Sequence, residues 1–462
     1  MQKIFFITTA IDYSNDIVHI GHSYQKILAD ALARYHRLLG DKTFFLTGTD
    51  EHGQKVEKVA KENEKDPKEY VDYIASLDKN EWKSLDISYD RFIRTTDDDH
   101  IKFAQEFYLK SKKNGDIYLA KYKGLYCEGC ENFLTESELK DGHCPFHPHL
   151  NPIKIEEENY FFRLSKYQDF LLKHLEKHPE FVWPESKRNE VITFIKNGLK
   201  DFSVSRQGVK WGIPVPDDPK HTIYVWFDAL INYLTFGEQK GCWPADVHVL
   251  GKDNLRFHAI YWPAMLKSAG YPLPKTILVH DFISLNGQKI SKSLGNIIRP
   301  SELVNKFGSD AIRYFFLKYG PLTSDVDINL EKIKDVYNSE LANGLGNLVS
   351  RLSKLGEIAK IEIAEEETNF YEEIKNYLDS FKVNLALEFL WQKISELDLL
   401  INQNQLWIKT EEKKNIVISL IKETRKIAFN LSPFTPQSAE KIQSQLAGKI
   451  KKNKEPLFPR LS

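Results

Sequence analysis

The chain contains little sulfur and no long apolar run. Its 462 residues include 4 cysteines and 2 methionines. Because so few cysteines cannot form a disulfide scaffold, we expect a protein of the reducing cytoplasm. No apolar run approaches the roughly 18 residues of a membrane helix, and the N-terminal apolar run is too short for a signal peptide. The formal net charge is −1, so any polyanion must be bound by a local cationic patch. The length predicts about three domains.

The N-terminal segment predicts a strand, a helix and a second, parallel strand. Residues 3–7, KIFFI, suit a buried strand, and TFFL at 43–46 suits another. Between them, apolar side chains recur on one face of a helix as far as Leu39, with Gly40 as its stop. Such a βαβ unit has a parallel strand pair.

The string His19-Ile20-Gly21-His22 lies where the chain enters this predicted helix. Ligands of parallel sheets bind at the carboxyl ends of the strands, and a helix N-terminus attracts phosphate. We therefore predict that His19 and His22 donate to phosphate and that Gly21 lets a nucleotide approach. The alternative is that both histidines are surface or cap residues.

A second phosphate-type motif is LNGQKISKSLGN at 285–296. Val279–Ile283 before it reads as a strand, and Asn286-Gly287 predicts a tight turn. Lys289 and Lys292 then form a cationic loop that can close over a triphosphate. A solvated lysine turn is the alternative.

Three cysteines and one histidine have the spacing of a metal site. Two tight pairs, Cys127-x2-Cys130 and Cys144-x2-His147, are separated by 13 residues. They predict a closed tetrahedral site with three sulfurs and one nitrogen, which suits one structural Zn²⁺. His143 and His149 are rival nitrogen ligands, and Cys242 is predicted to be a packed thiol.

The two phosphate motifs, H-I-G-H and K-I-S-K-S, resemble the paired motifs of class I aminoacyl-tRNA synthetases. Within that class the chain is similar to the methionyl-tRNA synthetases nearly from end to end. The stretches that carry this resemblance are ITTAIDYSND, FLTGTDEHGQK, YDRFIRTTDDDH, YCEGCENFLTESEL, ENYFFRLSKYQ, SRQGVKWGIPVP, IYVWFDALINYLT, VLGKDNLRFHAIYWPAML and ELANGLGNLVSRL.

The resemblance implies an α/β fold in which a Rossmann-type parallel sheet is split by a connective insertion and followed by an α-helical bundle. The expected domains are the first catalytic half at 1–115, the connective insertion at 116–220 with a zinc knuckle at about 126–148, the second catalytic half at 221–280, a stem-contact region with the K-I-S-K-S loop at 281–335, and an anticodon-binding domain at 336–462.

The chemistry implied is activation of L-methionine with Mg²⁺–ATP, followed by transfer to tRNA(Met), both elongator and initiator. The methionine carboxylate is already a nucleophile, so the protein must align the reactants and stabilise charge on phosphate. The expected catalytic residues are His19, His22, Lys289 and Lys292. The same four, with Gly21, Gly251 and Asp253, are expected to contact ATP.

The resemblance also implies a methionine site. Asp50 is expected to pair with the ammonium group, and the expected pocket residues are Ala10, Ile11, Tyr13, Trp226, Ala229, Leu230, Tyr233, Asn254 and His258. Polarisable sulfur gains from aromatic edges, which suits this set, although ordinary core is the alternative for Trp226 and Tyr233. Asn254 stands where the family commonly has isoleucine. We expect it to turn away from the pocket or to bond a water, leaving the preference for methionine intact.

The last third is predicted to be helical. Leu341, Leu345, Leu348, Leu352 and Leu355 mark one apolar stripe. The resemblance implies that Asn347, Arg351 and Trp407 bind the anticodon, where planar side chains stack on splayed bases and amides read their edges. The chain ends without the appended dimerisation module of many relatives, so we expect a monomer.

Four alternatives differ from this prediction in specific features. Synthetases for isoleucine, valine and leucine carry a large editing insertion, whereas 116–220 holds little beyond the knuckle. Cysteinyl-tRNA synthetase is expected to place its zinc ligands around the active site. A small-molecule adenylyltransferase would not need the helical last third. For a paralogue that only binds tRNA, intact phosphate motifs would be unexpected.

Overall fold

The computed structural model describes residues 2–462 except 128–131, 135, 137–138, 146–147, 149, 291–294, 365–367 and 453–454. The strands, in chain order, are β1 Ile4–Thr9, β2 Asp12–Tyr13, β3 Lys42–Asp50, β4 Arg91–Arg94, β5 Ile117–Cys127, β6 Asn132–Leu134, β7 Ile153–Phe162, β8 Val182–Trp183, β9 Phe202–Ser203, β10 Ser205–Arg206, β11 Pro214–Val215, β12 Asp218–Ile223, β13 Val247–Gly251, β14 Thr276–His280, β15 Ile283–Leu285, β16 Gln288–Lys289, β17 Val326–Ile328, β18 Glu362–Ile363 and β19 Gly448–Lys449.

The α-helices, in chain order, are α1 Ile20–Leu38, α2 Gln54–Glu62, α3 Pro67–Ser84, α4 Asp98–Lys113, α5 Gln168–Lys177, α6 Glu185–Lys196, α7 Val225–Lys240, α8 Trp262–Ala269, α9 Pro300–Phe307, α10 Ser309–Tyr319, α11 Leu330–Val336, α12 Asn347–Ile358, α13 Glu372–Asp379, α14 Val383–Gln403, α15 Lys414–Leu431 and α16 Pro436–Gln445. Short 3₁₀ helices span Leu164–Tyr167, Pro179–Phe181 and Lys252–Asn254, and π-helical segments span Phe257–Tyr261 and Tyr337–Gly346. Among the described residues, no helix has an apolar stretch long enough to cross a membrane.

The chain divides into two compact units. Unit 1 comprises Met1–Val18, Lys42–Asn80 and Tyr89–His280, and unit 2 comprises His19–Asp41, Glu81–Ser88 and Asp281–Ser462.

Unit 1 is built on a parallel sheet with the strand order β2-β3-β1-β13-β14-β8, and β4 pairs with β3. β1 and β3 are the predicted parallel pair, with Ile4 opposite Lys42 and Thr8 opposite Leu46. β3 runs four residues beyond the predicted strand because its threonines remain buried; the Thr9 hydroxyl, for example, donates to Oγ1 of Thr47 at 2.8 Å. The core of this unit includes Phe6, Leu46, Phe227 and Leu250.

The segment between β4 and β13 forms antiparallel sheets and also contributes β8 to the parallel sheet. Strands β6-β5-β7-β9 form one sheet and β10-β12-β11 form another. The long β5–β7 ladder pairs Ile117 with Phe162 and Tyr126 with Ile153.

Unit 2 contains α1, a small sheet of β16-β15-β17, and the helices α9 to α16. The five leucines of the predicted stripe are all buried, which confirms that face. The predicted strand Val279–Ile283 is wrong as a single element, because β14 ends at His280 and β15 begins at Ile283. The backbone N–H of Asp281 donates to the carbonyl of Pro321 instead of to a strand ladder.

Candidate active site

Two imidazoles cap the N-terminus of α1. His19 is the N-cap residue. Its Nδ1 accepts the backbone N–H of Gly21 at 3.1 Å, and the backbone N–H of His19 donates to Nδ1 of His22 at 3.1 Å. Because Nδ1 is the acceptor in both rings, each neutral imidazole carries its proton on Nε2, the nitrogen that can donate to a phosphate oxygen. The cap and phosphate interpretations are therefore compatible, since they use different ring nitrogens.

The start of α1 lies beside the segment around the predicted cationic loop. A Cβ added at Gly21 would lie 3.8 Å from Cδ1 of Ile290 and only 2.8 Å from Cε1 of His19. The backbone N–H of Ile20 donates to the carbonyl of Ile298 at 3.0 Å. Glycine is thus needed at position 21 for the folded-back His19 ring, whereas Ile290 lies at an ordinary van der Waals distance. Unit 2 brings the two motifs together.

Lys289 lies on the predicted hairpin. Asn286 and Gly287, between β15 and β16, have φ values of 52° and 74°, the left-handed conformation that Asn-Gly turns adopt. The Asp327 carboxylate accepts the backbone N–H of Gly287 at 2.7 Å and fixes this turn. Lys289 is exposed. Lys292 lies outside the described residues.

Unit 1 carries the residues expected to bind methionine. Asp50 ends β3, is 6% exposed, and lies opposite Tyr13 of β2. Ala10 follows β1 and donates its backbone N–H to the carbonyl of Val249 at 3.0 Å. The buried members of the predicted set are Ala10, Asp50, Ala229, Leu230, Tyr233 and His258, and the partly buried ones are Ile11, Tyr13, Trp226 and Asn254.

Two ring contacts organise the aromatic members of this set. Trp226 stacks on Phe257 with centroids 3.7 Å apart and planes 5° apart. Burial lowers the pKa of His258 to about 4, so the ring is neutral at pH 7. Its Nδ1–H donates to the carbonyl of Asn254 at 2.9 Å, and its Nε2 accepts the Tyr233 hydroxyl at 2.7 Å. Phe257 was not predicted, although it lies directly beside His258 in the sequence.

The short 3₁₀ helix after β13 carries Asp253, one of the residues expected to contact ATP. Asp253 is exposed. A Cβ added at Gly251 would lie 2.8 Å from Oδ1 of Asp253, so only glycine leaves that carboxylate in place. Nδ2 of Asn254 donates to the same oxygen at 3.4 Å. The prediction that Asn254 turns away from the methionine pocket stays a prediction.

The stretch GTDEHG contains two further polar residues that sequence reasoning missed. Glu51 is fully buried and accepts from Nε and Nη2 of Arg94 at 2.6 and 2.8 Å. Nδ1 of His52 and Nε2 of His100 each lie 2.7 Å from an oxygen of Asp228. Burial raises the pKa of Asp228, but the interactions with the imidazoles of His52 and His100 outweigh it and hold that pKa below its usual value. Consecutive ionisable residues directly after a buried strand were the available signal.

Two of the four predicted metal ligands are described. Cys127 ends β5, and Cys127 and Cys144 are both buried in one small cluster with Leu134. Cys130 and His147 lie outside the described residues. Two thiols in one buried cluster are the soft donors that a structural Zn²⁺ prefers.

Of the rival nitrogen ligands, only His143 is described. Its Nδ1 is buried and has no hydrogen-bond partner within the described part of the chain. His149 lies outside that part. Within it, no group of three or more potential metal ligands is found. Cys242 is a packed thiol as predicted, because it is buried and burial raises its pKa to about 12.

The residues expected to bind the anticodon lie on or near two helices of unit 2. Asn347 is the first residue of α12 and is exposed, and Trp407 is 56% exposed. The guanidinium of Arg351 donates to Oδ1 of Asp398 at 2.7 Å and to Oδ1 of Asn402 at 2.6 Å. These two partners on α14 were missed because sequence periodicity does not show which helices meet.

Comparison with known proteins places these motifs in a class. The family model of tRNA synthetases class I (M) matches residues 5–151 and 148–353. These segments include H-I-G-H, K-I-S-K-S, the parallel sheet and the start of the helical region.

Comparison with individual relatives identifies one group of synthetases within this class. A methionine–tRNA ligase of Caldanaerobacter subterraneus subsp. tengcongensis is 46% identical, over 96% of this chain and 74% of its own length. That of Thermotoga maritima is 42% identical, over 98% of this chain and 77% of its own length. A solved structure of Mycobacterium tuberculosis methionyl-tRNA synthetase in complex with methionyl-adenylate matches with a TM-score of 0.93 and 35% identity, over 99% of this chain and 100% of that one. The chain therefore belongs to the methionyl-tRNA synthetases of class I.

Proposed function

We propose that this chain activates L-methionine with ATP and transfers the methionyl group to the 3′ end of tRNA(Met), initiator and elongator, with His19, His22, Lys289 and Lys292 binding the phosphates. The observation that carries the proposal is the neighbouring position of the two motifs in unit 2, with Gly21 next to Ile290. Family membership and the names of the relatives support the reaction itself.

The first step is a displacement at phosphorus. A methionine carboxylate oxygen attacks the α-phosphorus of ATP, the bond to the β-phosphate oxygen breaks, and pyrophosphate leaves with its electron pair. Nε2–H donors from His19 and His22 and ammonium groups from Lys289 and Lys292 stabilise the charge on the phosphate oxygens. Mg²⁺ bound to ATP would offset part of the negative charge on the leaving pyrophosphate. Asp253, next to Gly251, binds the ribose.

The second step transfers the amino acid. The hydroxyl of the tRNA 3′-terminal ribose attacks the carbonyl carbon of methionyl-adenylate, and AMP leaves. Binding to tRNA depends on Asn347, Arg351 and Trp407, which present amide, guanidinium and indole groups to the anticodon. We expect the chain to act as a monomer in the cytoplasm. A sedimentation mass of two chains would contradict the first expectation.

The methionine site combines one charged end and one apolar end. Asp50 pairs with the ammonium group, and Trp226, Ala229, Leu230 and Tyr233 on α7 surround the side chain. The neutral His258 ring accepts the Tyr233 hydroxyl, so the sulfur meets polarisable aromatic groups and no cation.

The test is methionine-dependent ATP–pyrophosphate exchange with each standard amino acid, followed by charging of an RNA with a CAU anticodon. We expect exchange with methionine alone and charging of that RNA. Stronger exchange with leucine than with methionine would contradict the proposed pocket.

The substitution His22→Asn tests whether His22 acts in catalysis or only as a cap of α1. The asparagine Oδ1 can replace Nδ1 as acceptor of the His19 backbone N–H, but Nε2 is lost. We expect the exchange kcat to fall by about 10²-fold, as for removal of one oxyanion donor, at unchanged thermal stability. If this variant showed wild-type exchange, His22 would act only as a cap of α1. Lys306→Ala, on the exposed side of α9, is the control.

We also propose one structural Zn²⁺ bound by Cys127, Cys130, Cys144 and His147. The two described thiols share a buried cluster that contains little other apolar material, so a metal would supply the stability that this small core lacks. We expect one zinc per chain by elemental analysis, loss of zinc in Cys127→Ser, and retention in Cys242→Ser. Full zinc content in both variants would contradict the ligand set. The domain boundaries expected above stay predictions.

A further inference from the structure

One buried carboxylate of unit 1 has two histidine partners. Asp228 lies on α7, two residues after Trp226 and directly before Ala229, and its side chain is fully buried. His52 follows β3, and His100 lies on α4. Each places one ring nitrogen 2.7 Å from a different oxygen of Asp228. Three segments that are distant in the sequence therefore meet at a single side chain.

A threonine on α7 determines where the protons of His100 are. The Thr235 hydroxyl donates to the carbonyl of Ile231 at 3.1 Å. A hydroxyl has only one proton. With that proton on the Ile231 carbonyl, Thr235 Oγ1 is an acceptor towards Nδ1 of His100, 3.2 Å away. The ionised Asp228 carboxylate also only accepts, so Nε2 of His100 donates to it. In that arrangement both ring nitrogens of His100 donate, as they do in an imidazolium.

The surroundings explain why this charge can be buried. His100 and Asp228 are both fully buried, and an isolated charge there would be strongly unfavourable. The imidazolium and the carboxylate form a hydrogen-bonded pair, and His52 gives the second carboxylate oxygen its own donor. Asp228 is also in the first turns of α7, where the partial positive charge of a helix N-terminus favours a carboxylate.

We propose that His100 is a positioning residue of the amino-acid site that donates from both ring nitrogens, and that it acts with His52 through Asp228. Asp50, two residues before His52, belongs to the ammonium end of the site, while Trp226 and Ala229 flank Asp228 at the side-chain end. Fixing Asp228 to His52 fixes the distance between these two ends, and that distance selects amino acids by length. The link to methionine rests on the proposed function, whereas the protonation of His100 does not.

The first experiment measures the protons directly on the full chain. Histidine labelled with ¹⁵N in the ring reports each N–H, and the His100 resonances are those absent from His100→Gln. We expect two ring N–H groups for His100 and one for His258 at neutral pH. A single N–H on His100 would overturn the proposal. Because this experiment needs no activity, it determines the protonation of His100 even if the chain shows no methionine-dependent exchange, a result that would count against the proposed function alone.

The second experiment tests positioning by kinetics. In Asp228→Asn we expect the KM for methionine in the exchange reaction to rise about tenfold or more, with the KM for ATP changed less than about twofold, because only the amino-acid site is displaced. Equal rises of both KM values, or a change in kcat alone, would overturn the positioning role.

Two substitutions of His100 provide a matched comparison. His100→Gln keeps a donor near the Nε2 position, whereas His100→Phe fills the space without one. We expect the KM for methionine to stay within about threefold of wild type in the first and to rise about tenfold in the second. Equal values in the two variants would overturn the role of the hydrogen bond. His221→Gln is the control, because His221 is a buried histidine beside Asp218 on β12, outside the site.

Discussion

Two fully buried carboxylates of this molecule have different partners. Asp30 of α1, in unit 2, contacts two guanidinium groups: Nη2 of Arg313 and Nε of Arg34 each lie 2.7 Å from Oδ2. Asp228 of α7, in unit 1, contacts two imidazoles. Burial raises the pKa of both carboxyl groups, and in both the partners outweigh it and hold the pKa below its usual value.

The difference lies in what surrounds each pair. Arg313 also donates to the backbone carbonyls of Phe434 and Pro433, so the Asp30 cluster joins distant backbone segments of unit 2. A guanidinium keeps its charge at every physiological pH, whereas an imidazole does so only with suitable partners. The Asp228 cluster is flanked by residues of the proposed methionine site. The two carboxylates are equally buried, so what distinguishes them is their partners and neighbours.

Removing the Arg313 guanidinium should have the largest effect on the free energy of unfolding. Arg313→Met leaves Asp30 with Arg34 as its one guanidinium partner, beside the donors of Ser88. It also removes a donor from the backbone carbonyls of Leu85, Pro433 and Phe434. We therefore expect the free energy of unfolding to fall by about 3–5 kcal/mol in urea titrations. Lys393→Met is the control, because the Lys393–Glu396 pair is 32% and 47% exposed and should contribute less than about 1 kcal/mol. Similar losses of unfolding free energy in both variants would show that burial does not determine how much an ion pair contributes to stability.

The buried His258 imidazole contacts a hydroxyl and a backbone carbonyl, and the protein should lose stability as this ring is protonated. Burial lowers the pKa of His258 from 6.5 to about 4, so the unfolded chain binds the proton first as the pH falls. The stability due to this neutral ring is complete above pH 6.5 and is lost between about pH 6.5 and 4. The loss amounts to about 3 kcal/mol. Below pH 4 both states are protonated, and the loss stops.

The measurement compares wild type with His258→Gln. We expect the variant to lose about 3 kcal/mol less stability than wild type when urea titrations are repeated from pH 7 to pH 4. Between pH 7 and 9 the two proteins should show parallel pH dependence. Equal losses on acidification would contradict a neutral, buried His258.

Local patterns were enough to predict the elements that hold the site. Period and turn residues predicted β1, α1, β3 and the Asn286-Gly287 hairpin, because these depend on near neighbours in the chain. The error at Val279–Ile283 arose where an apolar run continues across the boundary between the two units. Apolar character indicates burial, but it does not show where a strand ladder stops.

Long-range polar pairs could not be predicted in this way. His52 and Asp228 are 176 residues apart, and nothing local in either segment indicates the other. The same holds for Glu51 with Arg94 and for the acceptor role of Thr235, which follows only from coordinates. The resemblance named residues that are expected to contact substrate, but it did not name the polar residues that pair with their neighbours.

The smallest effect is expected where a carboxylate holds a guanidinium at the surface. Arg351 and Asp398 are 26% and 30% exposed, so their pair should contribute about 0.2–1 kcal/mol. Asp398→Asn should therefore raise the KM for tRNA in charging by no more than about fivefold, through looser orientation of Arg351. ATP–pyrophosphate exchange should not change, because that reaction needs no tRNA. Glu396→Gln, an exposed carboxylate of the same helix, should leave both reactions unchanged. A lower KM for tRNA in Asp398→Asn would instead mean that Asp398 restrains Arg351 from binding, so that this pair opposes the function that the Asp228 cluster supports.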